Sequence, residues 1–288
     1  MNIKKRVFSL LSSCYVVGCL FAQNILISTP ATSLVLSAPE KGELKYIYYG
    51  AKLSDRDFQT IGSLDKGKYA AYPVYGLNCP SEVALAVKHN DGNMTLQLEV
   101  VKVESSHQDE ANLTIISLKD KVYPFYVKMF YKAYQDTDII EIWSEISHQE
   151  KKPVILSKYA SSMLHLNSSR YFLTEFSGDW AHEANITERE LDFGKKVVDT
   201  KLGTRANLFV SPFFQLSLGN PSQENAGEVL VGTLGWTGNF RFIFEVDNKN
   251  ELRIISGINP YASEYKLPAN EVFRTPDFYF TYSCQGKG

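Results

Sequence analysis

The chain has 288 residues, 44% hydrophobic and 22% charged, a globular balance that excludes a disordered polymer. Thirty basic side chains against thirty-two acidic ones leave a formal net charge of -2, which excludes nucleic-acid binding held by bulk charge. Seventeen Tyr and seventeen Phe favour pleated, half-buried surfaces over helices.

Residues 1–22 read as a secretory signal peptide. Lys4, Lys5 and Arg6 precede an apolar run from Val7 to Gly18, and Leu20-Phe21-Ala22 offers a cleavage site before Gln23. The run falls short of the roughly 20 residues that cross a bilayer as a helix, so no transmembrane span is expected. The expected location is the bacterial periplasm or the medium. Val16-Val17-Gly18-Cys19 also resembles a lipobox, in which Cys19 would carry lipid. Cys79 and Cys284 remain after cleavage. One disulfide is open to them, but two unpaired thiols are the expectation.

Beyond residue 30 the dominant period is two. Glu43 to Tyr49 alternates and stops at Gly50, a short helix fits Leu53 to Ile61, and Met94 to Val100 alternates after the turn His89-Asn90-Asp91-Gly92. Strands are expected over Leu113 to Leu118, Tyr123 to Tyr131, Ile139 to Ile146 and Val154 to Leu166. The polar breaks Asp120-Lys121, Gln135-Asp136 and Gln149 to Pro153 separate them. Leu208 to Leu218, Glu228 to Leu234, Phe240 to Val246, Leu252 to Ile258 and Phe278 to Tyr282 continue the pattern, with Asp247-Asn248-Lys249-Asn250 as a hairpin turn. About fifteen antiparallel strands with no strand–helix alternation predict one large all-β sandwich over residues 23–288.

The chemistry-bearing stretch is Ser177-Gly178-Asp179-Trp180-Ala181-His182-Glu183, after a strand ending near Phe176. An indole can stack on the apolar face of a pyranose while a carboxylate accepts its hydroxyl hydrogens, so Trp180 and Asp179 are the candidate sugar contacts. The alternative is an ordinary loop whose Trp plugs the core edge. Asp179 and Glu183 make no convincing glycosidase pair, because four residues along a loop fix no carboxylate separation. The five histidines lack metal-ligand spacing; His107 and His148 are expected in polar turns, and His165 faces solvent or a sheet neighbour. Cys79 has no His placed to activate it, and Gly232, Gly235 and Gly238 around Trp236 read as turns or bulges. No catalytic residue, metal site or cofactor is assigned.

Six segments together resemble the N-terminal domain of glycoside hydrolase family 36, the α-galactosidase or melibiase family. They are Tyr48-Tyr49-Gly50, Tyr72 to Gly92, Lys128 to Ser147, Gly178-Asp179-Trp180 with Leu191 and Gly194, Ser211-Pro212-Phe213-Phe214, and Gly257-Ile258-Asn259-Pro260 with Phe273-Arg274-Thr275-Pro276. The resemblance implies a β-supersandwich ahead of a (β/α)8 barrel. That barrel supplies an Asp nucleophile and an Asp acid/base for retaining hydrolysis of α-galactosides. Such a barrel needs about 250 residues, and nothing after Ser283 matches one. The catalytic pair therefore has no position here, and a truncated product or a separately supplied barrel is expected. The sequence also departs from the family pattern. Cys79, Pro80 and Ser81 stand where the family often has Asp-aromatic-Arg. Arg205-Ala206-Asn207 stands where it has Ser-Ser-His, and Ser211 replaces an Asn. The expected role is a non-catalytic domain of an exported α-galactosidase-like enzyme. It would contact an α-galactoside or galactose, and a barrel or a second copy of itself. A stand-alone carbohydrate-binding or structural module is the alternative.

Overall fold

The computed structural model describes residues 16–17, 23–40, 42–64, 67, 69–76, 79, 81–108, 110–205 and 209–288. The signal-peptide segment and Cys19 lie outside these residues, apart from Val16 and Val17. Pro80, Ala206 and Asn207 lie outside them too.

The strands in chain order begin with β1 (Val16–Val17), β2 (Gln23–Ser28), β3 (Thr32–Ala38) and β4 (Lys45–Ala51), followed by the helix α1 (Asp55–Leu64). Next come β5 (Tyr69–Ala70), β6 (Leu85–Lys88), β7 (Leu98–Gln108), β8 (Ala111–Asp120), β9 (Phe125–Tyr134), β10 (Ile140–His148) and β11 (Val154–Asn167). The second half holds β12 (Tyr171–Asp179), β13 (His182–Glu190), β14 (Gly194–Asp199), β15 (Val210–Leu218), β16 (Glu228–Gly235), β17 (Phe240–Val246) and β18 (Glu251–Ile258). Two short pieces, β19 (Tyr265–Leu267) and β20 (Val272–Arg274), and a last full strand, β21 (Asp277–Ser283), close it.

These form an 11-stranded sheet in the order β1-β7-β8-β9-β10-β21-β16-β15-β12-β13, with β20 beside β10. A six-stranded sheet runs β14-β17-β18-β11-β19, with β6 also on β11, and a four-stranded sheet runs β2-β3-β4-β5. The expected all-β antiparallel sandwich is the fold observed. Alternation builds it: Phe125, Val127, Met129, Tyr131 and Ala133 of β9 are buried, while Tyr126, Lys128, Phe130, Lys132 and Tyr134 look the other way and are less buried.

Phe214 of β15 sits in the central core with its ring edge-on to Phe242 and Phe244 of β17 and stacked over Phe278 of β21. The two larger sheets therefore interdigitate through aromatics. Gly232, the register partner of Phe214, makes room for that ring; a Cβ there would lie 2.5 Å from Cζ of Phe214. The opposite face of the six-stranded sheet turns toward the small sheet. It carries a polar row across neighbouring strands, Lys195–Glu245–Arg253–His165.

The helix begins two residues later than the sequence suggests. Ser54 caps it: the Asp57 N–H donates to Ser54 Oγ at 3.2 Å, and Ser54 Oγ–H donates to the Asp57 carboxylate at 2.7 Å. Two histidines depart from expectation. His148 is buried as the last residue of β10, within 3.0 Å of the Leu267 carbonyl, and His107 lies inside β7, 2.7 Å from Asn112 Oδ1. His165 faces a sheet neighbour, 3.3 Å from Glu251. Cys79 and Cys284 are both free. No helix among the described residues is long and apolar enough to cross a membrane.

Candidate functional site

The stretch expected to be a loop is a hairpin. β12 continues to Asp179, Trp180 and Ala181 form the tip, and β13 returns along β12. All nine residues of β13 are exposed, because it is the edge of the 11-stranded sheet. That explains the missed strand: with both faces wet, no apolar alternation is required of it.

The tip is held by its own polar groups. Ala181 and Ala184 adopt φ of 60° and 56°, and the register slips between Ser177 and Asp179, so one extra residue is accommodated on β13. The Trp180 N–H donates to Asp179 Oδ1 at 2.7 Å, and the Ala181 N–H donates to Glu183 Oε1 at 3.2 Å. Both carboxylates thus serve the turn. Trp180 is left 85% exposed, an indole presented to solvent rather than a plug in the core edge. Asp179 is adjacent and exposed. The same edge exposes Ile186, and the connection from β13 to β14 exposes Phe193. The expected pair, Trp180 and Asp179, therefore sits side by side at the exposed tip of the hairpin.

A second feature was not picked out by motif. Between the small sheet and the β17–β18 turn lies a cavity of about 400 Å³. Tyr69 of β5 donates its hydroxyl to Asp247 Oδ2 at 2.7 Å, and the Arg253 guanidinium lies over the Tyr69 ring at 5.1 Å. Asp247 also accepts the Lys249 and Glu251 N–H groups at 2.8 and 3.0 Å. Burial pushes its pKa up, but these hydrogen bonds prevail and hold it at about 2. Glu82 is treated likewise: burial opposes its charge, and hydrogen bonds from Lys158 and Lys195 bring its pKa below the usual carboxylate range. Cys79 lines this cavity, half-buried, its thiol directed at the Ser81 carbonyl at 3.7 Å. The signal available in the sequence was Arg253, a lone cation inside the apolar run Leu252-Arg253-Ile254-Ile255. Among the described residues no group of three His, Cys, Asp or Glu converges as metal ligands would.

The profile of the Glycosyl hydrolase family 36 N-terminal domain matches residues 42–268. Alpha-galactosidase Mel36A of Lactobacillus acidophilus is 25% identical, over 88% of this chain and 39% of its own length. The bifunctional alpha-galactosidase/sucrose kinase AgaSK of Mediterraneibacter gnavus is 22% identical over 90% of this chain and 31% of its own. Among solved structures, alpha-galactosidase AgaA A355E of Geobacillus stearothermophilus with 1-deoxygalactonojirimycin superposes with a TM-score of 0.84 at 22% identity. That match covers 92% of this chain and 41% of the other. The Lactobacillus brevis alpha-galactosidase gives 0.82 at 22%, covering 92% and 40%. The chain thus spans about two fifths of the length of these proteins or less.

Proposed function

The chain belongs to the glycosyl hydrolase family 36 N-terminal domain family, and from that premise we propose that it is the non-catalytic sandwich of an α-galactosidase-type enzyme. The carrying observation is the match itself: a sandwich that fills 92% of this chain corresponds to about two fifths of each full enzyme. In this reading the bond-breaking carboxylates belong to a barrel beyond the sandwich, and the sandwich supports it. The carboxylates at the hairpin tip agree, since each is engaged by a backbone N–H of the turn.

Trp180, with Asp179 beside it, is the residue we assign to galactoside contact. A projecting indole costs apolar exposure and returns nothing to its own core, which suits a group meant to meet a sugar at the mouth of a neighbouring site. Export completes the proposal: residues 1–22 direct the chain to the periplasm or medium, and Cys19 is the acylation point if the lipobox is used.

The purified protein, incubated with an aryl α-galactoside, should show no turnover. Turnover abolished by a substitution within residues 23–288 would overturn the non-catalytic role. Intact mass of the protein recovered from its native host should begin at Gln23, or at an acylated Cys19; retention of Met1 would overturn export.

A further inference from the structure

We propose that the cavity beside Arg253 binds an acidic monosaccharide of the hexuronic-acid class, a ligand distinct from the neutral galactosides of the reading above. The charges at its wall carry the inference. Three carboxylates face it and all are committed: Glu43 to Lys45 at 2.8 Å, Glu82 to Lys158 and Lys195, and Asp247 to the Tyr69 hydroxyl and two backbone N–H groups. Two cations are not matched in the same way. Arg253 has a side chain only 9% exposed, its nearest carboxylate is Glu245 at 3.5 Å, and its Nε finds no partner among the described residues. Glu245 is itself engaged by the Glu82 N–H at 3.0 Å. Lys249 lines the cavity from the β17–β18 turn and has no ion-pair partner among the described residues.

A guanidinium this buried, answered by the Glu245 carboxylate at 3.5 Å and the Tyr69 ring, leaves room for a second anion, and a ligand carboxylate would add charge-assisted hydrogen bonds from the cavity side. The rest of the wall says what the carboxylate is attached to. Pro73, Val74 and Met163 offer an apolar surface for one face of a pyranose, and Ser81 and Asn248 offer partners for its hydroxyls. The volume of about 400 Å³ sits at the small end of ligand sites, which run from about 300 to 1,000 Å³, and fits a single sugar ring rather than a chain. A neutral sugar would add no anion to Arg253 and Lys249, and inorganic phosphate would leave the apolar wall unused.

The same chemistry occurs in a free hexuronic acid and at the end of a polyuronide. Calorimetry on the purified protein with D-galacturonate, digalacturonate, D-galactose and inorganic phosphate separates them. Galacturonate should bind at millimolar concentration or below, at least about tenfold tighter than galactose or phosphate, the ratio expected for one charge-assisted contact. Tighter binding of digalacturonate would place the site at a polymer end; weaker binding would assign it to the free acid. Arg253→Met should abolish the heat. Should that variant fold poorly by circular dichroism, Lys249→Ala, on an exposed turn, should still weaken binding several-fold. Equal binding of galactose and galacturonate, phosphate binding as tight as galacturonate, no galacturonate heat at millimolar ligand, or binding unmoved by Lys249→Ala in folded protein would each overturn the assignment. Loss of this binding would leave the α-galactosidase reading untouched, since that rests on the hairpin and the family.

Discussion

At the scale of single residues, two positions show how narrowly the packing is set. Gly232 faces Phe214 across a strand pair, and a methyl group there would collide with that ring and with Phe278. Gly232→Ala is expected to cost about 1–3 kcal/mol, as overpacking of a filled core does, and a lower urea midpoint at unchanged slope would register it. Tyr69 works through charge. Its hydroxyl helps hold Asp247 at about 2 against an ordinary value of 3.8. A carboxyl depressed in the folded state stabilises the protein above the ordinary carboxylate pKa, and that stabilisation is lost as pH falls toward the folded value. Tyr69→Phe should therefore be less stable than the parent at pH 7. The difference in urea midpoint should shrink between about pH 4 and pH 2. A constant difference across that window would show that only packing had changed.

Among the elements, the hairpin of β12 and β13 was the least legible from sequence. Strands packed on one face announce themselves: β9 and β17 were placed within a few residues because burial demands alternation. β13 reads His-Glu-Ala-Asn-Ile-Thr-Glu-Arg-Glu, whose identity is decided by the partner strand and not by a core. The candidate residues were found because a Trp beside an acid is chemically conspicuous, whereas Arg253 and Tyr69 are joined only by folding, from strands 184 positions apart in the chain. His148 departs from the expected turn for a related reason: a polar residue at a strand end has a turn's signature, and its burial depends on the distant Leu267 carbonyl beside it. Since Trp180 is 85% exposed, Trp180→Ala should change stability by less than about 0.5 kcal/mol in thermal denaturation, as exposed positions do. A loss of galactoside contact in that variant would then be attributable to the ring itself, and a large loss of stability would return Trp180 to a structural role.

Over the whole molecule, class and architecture were legible because period two runs through most of the chain. The division into three sheets was not. Which strands neighbour one another depends on long-range pairing such as β10 with β21 and β16 with β21, separations that no local pattern encodes. The aromatic core shared between the 11-stranded and six-stranded sheets predicts one cooperative unfolding transition. Far-ultraviolet circular dichroism and tryptophan fluorescence should give coincident urea curves.

The long strand β11 divides its length between different neighbours. Val154 to Tyr159 pairs with β19 and β6, Ala160 to Asn167 pairs with β18, and the change of partner falls at the irregularity near Ala160 and Ser162. Gly257 is needed there, because a Cβ would lie 2.8 Å from Cα of Ala160. β11 thus acts as a splice between two ribbons that would otherwise be independent. A tug applied at the β6 end is passed along one covalent strand to β18, and through it to β17 and the turn bearing Lys249.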